Sequence, residues 1–123
     1  MNPAKRQPVL SNYEPVTNYR SFWLFYLREH ARPSTRTIHI FGTSAATLCL
    51  GVALVSGEVW LVPAALILGY GPAWFAHFFV EKNRPATFRY PIWSLVSDFR
   101  MTALWFAGKL THELEKAGVA HNP

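Results

Sequence analysis

At 123 residues the chain has room for one domain and no more. Half of it is hydrophobic, only 15% is charged where soluble domains carry about a quarter, and the net charge is +5. A single cysteine excludes an intrachain disulfide, and cations that flank apolar runs suit anionic lipid headgroups better than nucleic acid.

Residues 1–18 hold three prolines and no periodicity, which predicts an extended or mobile arm without the pattern of a signal peptide. Residues 19–31 read as a helix. Trp23, Tyr26, Leu27 and His30 fall at i, i+3, i+4 and i+7, so His30 ends an aromatic stripe and points inward with it. Pro33 breaks this helix, and Ser34 is the expected N-cap of the next.

Residues 37–56 contain no Asp, Glu, Lys or Arg. A helix of that length crosses a hydrocarbon core of about 30 Å. Gly42, Ser44, Ala45, Ala46 and Gly51 are small, as close helix packing in lipid prefers, and Cys49 reads as an apolar filler among them. Ser56-Gly57-Glu58 forms a tight turn, and residues 59–80 make a second apolar run, expected to kink at Gly-Tyr-Gly-Pro 69–72. His77 and Glu81 stand at i and i+4 on one face near its end, and Pro85 is expected to stop the helix. The pair of runs reads as a transmembrane hairpin; a buried hairpin in a small soluble bundle is the alternative.

Residues 92–110 predict an amphipathic helix with Ile92, Leu95, Val96, Phe99, Ala103, Phe106 and Leu110 as its stripe, followed by a charged tail over 111–118. The expected architecture is therefore all-α. An integral membrane hairpin of two spans is flanked by an N-terminal aromatic helix and a C-terminal amphipathic helix. One domain covers 19–118, with an arm at 1–18 and a loose tail at 119–123. Arg20, Arg28, Arg32 and Arg36 precede the hairpin, Lys82, Arg84, Arg89 and Arg100 follow it, and the turn between has none. That asymmetry places both termini in the cytoplasm, at the inner (cytoplasmic) membrane. Two spans make a thin bundle, so a homodimer joined by small-residue faces is expected.

The histidines meet at one depth. His39 precedes Gly57 by about 27 Å of helix and His77 follows it by about 30 Å, so both reach the same edge of an antiparallel hairpin. His30 returns to that edge from the preceding helix, and Glu81 lies one turn beyond His77. Imidazoles at that depth need partners, and a metal ion satisfies three at once. His with carboxylate suits non-haem Fe(II), and three His also suit Zn. His112 and His121 fall in the charged tail and are not expected to ligate. Glu29 points away from His30, and Asp98 reads as a hydrogen-bond partner of an imidazole or of Arg100.

His30, then Arg36-x-x-His39-x-x-Gly42, then His77-x-x-x-Glu81-x-x-x-Pro85-Ala86, resembles the membrane-embedded 2-hydroxy fatty acid dioxygenases, a family related to a yeast endoplasmic-reticulum α-oxidation enzyme. The chain is similar to a short bacterial member. A tight hairpin joins the two motif halves where yeast-type members have extra apolar segments. The resemblance implies Fe(II)-dependent α-oxidation, in which dioxygen converts a 2-hydroxy fatty acid to an acid one carbon shorter. It implies His30, His39 and His77 as iron ligands and Glu81 as a ligand or acid/base. In that setting Arg36, Arg84 and Arg89, with Asn83 beside them, are candidates to hold the substrate carboxylate, and the acyl tail would lie along the hairpin. A zinc hydrolase of lipids and a non-enzymatic membrane scaffold are the rival readings. No Gly-rich phosphate loop follows a strand, so no nucleotide partner is expected.

Overall fold

A computed structural model describes residues 15–119, all helix and connector with no strand among them. Most of the expected arm, the last four residues and His121 lie outside the described residues. Helix α1 (Tyr19–Arg28) opens with a reciprocal cap: Ser21 N–H donates to Asn18 Oδ1, and Asn18 N–H donates back to Ser21 Oγ. Its inward stripe of Phe22, Trp23, Tyr26 and Leu27 is buried.

Helix α2 (Pro33–Ser56) begins earlier than its apolar run implies. Pro33 occupies the first turn, where its missing N–H leaves nothing unsatisfied, so Ser34 lies inside the helix rather than capping it. Gly57, with φ of 74°, ends it in the left-handed region that glycine tolerates. Helix α3 (Leu61–Phe75) returns antiparallel. A Cβ at Gly42 would sit 2.8 Å from Leu68 O and 3.3 Å from the Pro72 ring, so glycine is what lets the two backbones touch here. Pro72 has no N–H to offer that same Leu68 carbonyl.

The departure from α geometry falls beyond the expected 69–72 segment. Ala76–Glu81 forms a widened turn in which Lys82 N–H donates to His77 O, five residues back. Lys82, with φ of 65°, closes the helix before Pro85 is reached. A short 3₁₀ turn (Ala86–Phe88) then leads into helix α4 (Pro91–Phe106).

One correction concerns the C-terminal part. Gly108, with φ of 72°, stops α4, and a separate short helix α5 (Leu110–Lys116) folds back. Leu110, Leu114, Ala117 and Val119 thereby join a core with Phe22, Trp23, Leu27, Ile40 and Met101, where Leu110 was expected at the end of a single long helix, 111–118 as a charged tail and 119 onward as loose. Helix α4 also turns its polar side inward. Ser94, Ser97, Asp98, Met101 and Thr102 are buried, while Ile92, Val96, Phe99 and Phe106 of the apolar stripe are exposed.

The hairpin helices are long and apolar enough to cross a membrane. The most apolar windows of Pro33–Ser56 and Leu61–Glu81 are only 28% and 22% buried within the chain, which is not how the core helices of a soluble bundle look.

Candidate metal centre

His30, His39 and His77 are buried together, and each offers one nitrogen within 4.8 Å of the others. Three different segments deliver them: the end of α1, the second turn of α2 and the widened turn after α3. The His30 and His39 rings stack at 4.7 Å, and His77 meets His30 edge-on at 4.5 Å.

Their outer partners fix the tautomers. His30 Nδ1 lies 2.7 Å from Tyr26 O, and a carbonyl only accepts, so Nδ1 carries the proton and Nε2 is bare. Asn83 Nδ2 donates to Glu29 O, which turns Asn83 Oδ1 toward His77 Nδ1 at 2.7 Å and leaves His77 Nε2 bare as well. His39 Nε2–H donates to Asp98 Oδ1 at 2.8 Å, leaving its Nδ1 as the lone pair. That Nδ1 is buried without a hydrogen-bond partner. The bare Nε2 atoms of His30 and His77 face each other at 3.1 Å. Three clustered imidazoles that each keep a lone pair, one of them orphaned, fit a cation that accepts nitrogen donors. Burial, then the neighbouring His39 and His77, holds the His30 imidazole well below its usual range, so it stays neutral.

Tyr26, which the sequence places only in the aromatic stripe, also supports the site. Its hydroxyl donates to Asp98 Oδ1 at 2.6 Å, its carbonyl takes the His30 proton, and its ring lies 4.2 Å from the His30 ring. Burial, then Asp98, pushes the phenol well above its usual range, so it remains a donor. Ser94 Oγ is also buried without a partner and lines the cleft beside the histidines, a space of about 10 Å³ suited to one water. The signal for Ser94, Ser97, Asp98, Met101 and Thr102 was present as a second stripe at i, i+3, i+4, i+7 and i+8, opposite the apolar one.

The remaining expected residues sit further out. Glu81 stays outside the group of histidine nitrogens, although it follows His77 by one turn. Its Oε2 accepts from Arg32 N–H at 2.6 Å, at the entry to α2. Arg36 is buried and donates to the carbonyls of His30 and Ala31, both at 2.9 Å, which ties the α1–α2 connector. Arg84 is exposed, and the Arg89 guanidinium lies 5.3 Å from the Tyr90 ring centre. Neither they nor Arg36 line the histidine cleft. Asn83 serves His77 and Glu29 O, Glu29 contributes its carbonyl to the site, and His112 is exposed on α5.

A family model described as 2-hydroxy-palmitic acid dioxygenase Mpo1-like matches residues 16–110. The chain belongs to this family. The matched segment takes in all three histidines, Tyr26, Glu81 and Asp98, and runs from just before α1 to the first residue of α5. No curated protein and no solved structure matches the chain.

Proposed function

We propose that the chain is an Fe(II)-dependent dioxygenase that shortens 2-hydroxy fatty acids by one carbon at the cytoplasmic edge of a membrane. The observation that carries this is the set of three buried imidazoles with ring nitrogens within 4.8 Å of one another, in a chain of this family. His30 Nε2, His39 Nδ1 and His77 Nε2 are the ligands. Iron, when bound, supplies the redox chemistry with dioxygen that side chains lack.

The chain's own residues prepare that chemistry. Tyr26 and Asp98 hold His39, the Tyr26 carbonyl holds His30, and Asn83 holds His77, so each ring keeps one tautomer and one orientation. Burial of all three rings excludes bulk water. Arg84 and Arg89 are free of the internal carbonyl bonds that occupy Arg36, which suits them better to meeting an incoming carboxylate. Glu81, anchored on Arg32 N–H outside the three nitrogens, suits an acid/base role better than ligation. Glu81→Gln is then expected to retain metal while turnover falls by about 10²–10⁴-fold. Unchanged metal together with unchanged turnover would return Glu81 to a purely structural cap.

The membrane part of the reading rests on two apolar helices that the chain leaves uncovered and on the clustering of Lys and Arg at one end of the hairpin. Both termini are then cytoplasmic, and 19–118 forms one embedded domain. Three histidines also make a zinc set, as in a lipid hydrolase. Oxygen consumption by the purified protein with 2-hydroxypalmitate, set against palmitate, tests the function. Uptake with the hydroxy acid alone, together with a product one carbon shorter, is expected; no uptake with either after Fe(II) loading overturns it.

A further inference from the structure

Helices α3 and α4 both pack on α2 but scarcely on each other. A slot is left between them with α2 as its floor. It contains a cavity of about 130 Å³ whose lining is almost wholly apolar. Thr43, Ala46 and Leu50 form the floor, Leu66 and Gly69 one wall and Phe99 the other. Tyr70 and Asp98 line both this cavity and the histidine cleft, so the two spaces are neighbours that meet at these two side chains. The far walls are open to the outside, because Leu66, Leu95 and Phe99 are exposed.

We propose that this slot receives the alkyl tail of the substrate, entering sideways from the lipid and registered by Ala46 and Gly69. The proposal rests on the dioxygenase reading for its head group, and on the cavity for its tail. Thr43 lies one turn beyond His39, and Leu50 lies about 10 Å further along α2 toward the hairpin tip. A carboxyl end at the histidines therefore puts the tail in the direction that an acyl chain takes in the cytoplasmic leaflet. One leaflet is about 15 Å deep, half of a hydrocarbon core of about 30 Å, so the slot orders most of the head-proximal chain and lets the rest run on past Leu50. Such a slot favours longer chains without setting a maximum, and an acid too short to reach it is held by its head group alone. Its width depends on two small residues: a Cβ at Gly69 would already stand 3.4 Å from the Ala46 Cβ, so any larger side chain at either position projects into the tail's path.

The test uses the iron-loaded full chain in lipid nanodiscs with two readouts. The first is photolabelling by a 2-hydroxy fatty acid carrying a diazirine in mid-chain. Label on the peptides of Leu50, Leu66 and Phe99, displaced by excess 2-hydroxypalmitate, is expected. Label spread over the outward residues Leu54 and Val62, or undisplaced label, overturns the tail site. The second is the chain-length profile. Ala46→Leu is expected to lower kcat/KM for 2-hydroxypalmitate by about tenfold or more while sparing 2-hydroxybutanoate, a scale typical of apolar pockets. Gly71→Leu, on a face with open space, is expected to leave the profile unchanged. An equal loss at all chain lengths in a folded Ala46→Leu protein overturns the proposal. Displaceable label without turnover of any 2-hydroxy acid removes the dioxygenase reading and upholds the tail site.

Discussion

The two ends of this molecule are built on opposite rules. At the base, α1, α5 and the inner side of α4 bury Phe22, Leu27 and Met101 completely and pair most of their polar groups, Ser94 Oγ excepted. At the hairpin tip, Leu54 and Val55 are 87% and 91% exposed, and residues 37–56 carry no charge. The base satisfies itself, whereas the tip needs a nonpolar surrounding. Helix α4 belongs to both: polar groups face the protein and apolar ones face out, the reverse of a soluble amphipathic helix. The three histidines sit where the two regimes meet. On the proposed function, a polar head group would be held there by the base while its apolar chain stays on the side of the hairpin.

That contrast can be broken by mutation, beginning at the junction. His39→Ala or His77→Ala should abolish bound metal and turnover together, while His112→Ala, at an exposed position of α5, leaves both intact; elemental analysis beside the oxygen assay reads this. In the base, Phe22→Ala should destabilise the fold by about 3–5 kcal/mol. The tip counterpart Leu54→Ala should stay within about 0.5 kcal/mol in detergent. Denaturant titration of the two variants checks the pair, and equal losses would erase the distinction between the ends.

Smaller effects sharpen it. Tyr26→Phe keeps the ring packing and removes only the hydroxyl that donates to Asp98. It should weaken metal affinity by about 10–100-fold through loosened support of His39, measured by competition with a chelator. The smallest effect is on pH. The hydrogen bond from Trp23 Nε1–H, then Lys116, and beyond it Arg100, hold the Glu113 carboxyl below the usual carboxylate range. A depressed folded-state value contributes stability above the ordinary glutamate range, and that contribution is lost as pH falls through the lower value. Acid unfolding of Glu113→Gln should therefore lack this step, which wild type shows, and the step should report on the base alone.

Much of this layout was legible in the sequence. The two uncharged runs, Gly57 between them, and the matched distances of His39 and His77 from that turn needed only helix rise and composition. The inward turn of His30 needed only the stripe through Tyr26. What stayed hidden depends on contacts between distant segments. The widened turn at Ala76–Glu81 is closed by a hydrogen bond reaching five residues back rather than four, and nothing in Ala-His-Phe-Phe-Val-Glu announces it; nor does anything announce that Arg32 N–H takes up the Glu81 carboxylate. Helix α4 carries two stripes, and which one faces inward depends on whether water or lipid lies outside. Gly108 stood within an apolar, helix-like pattern, and only the core awaiting Leu110 and Leu114 makes its left-handed turn worthwhile. Arg36 was read as substrate-facing because it is charged, yet the bare carbonyls at the end of α1 claim it first.

The central claim is that His30 Nε2, His39 Nδ1 and His77 Nε2 together hold iron. Metal content of the purified wild-type chain, after anaerobic Fe(II) loading and removal of loosely bound ions, tests it most directly. The account predicts iron equimolar with the chain, absent from His39→Ala prepared in the same way. Retention of zinc in place of iron, or equal iron in wild type and His39→Ala, would contradict it.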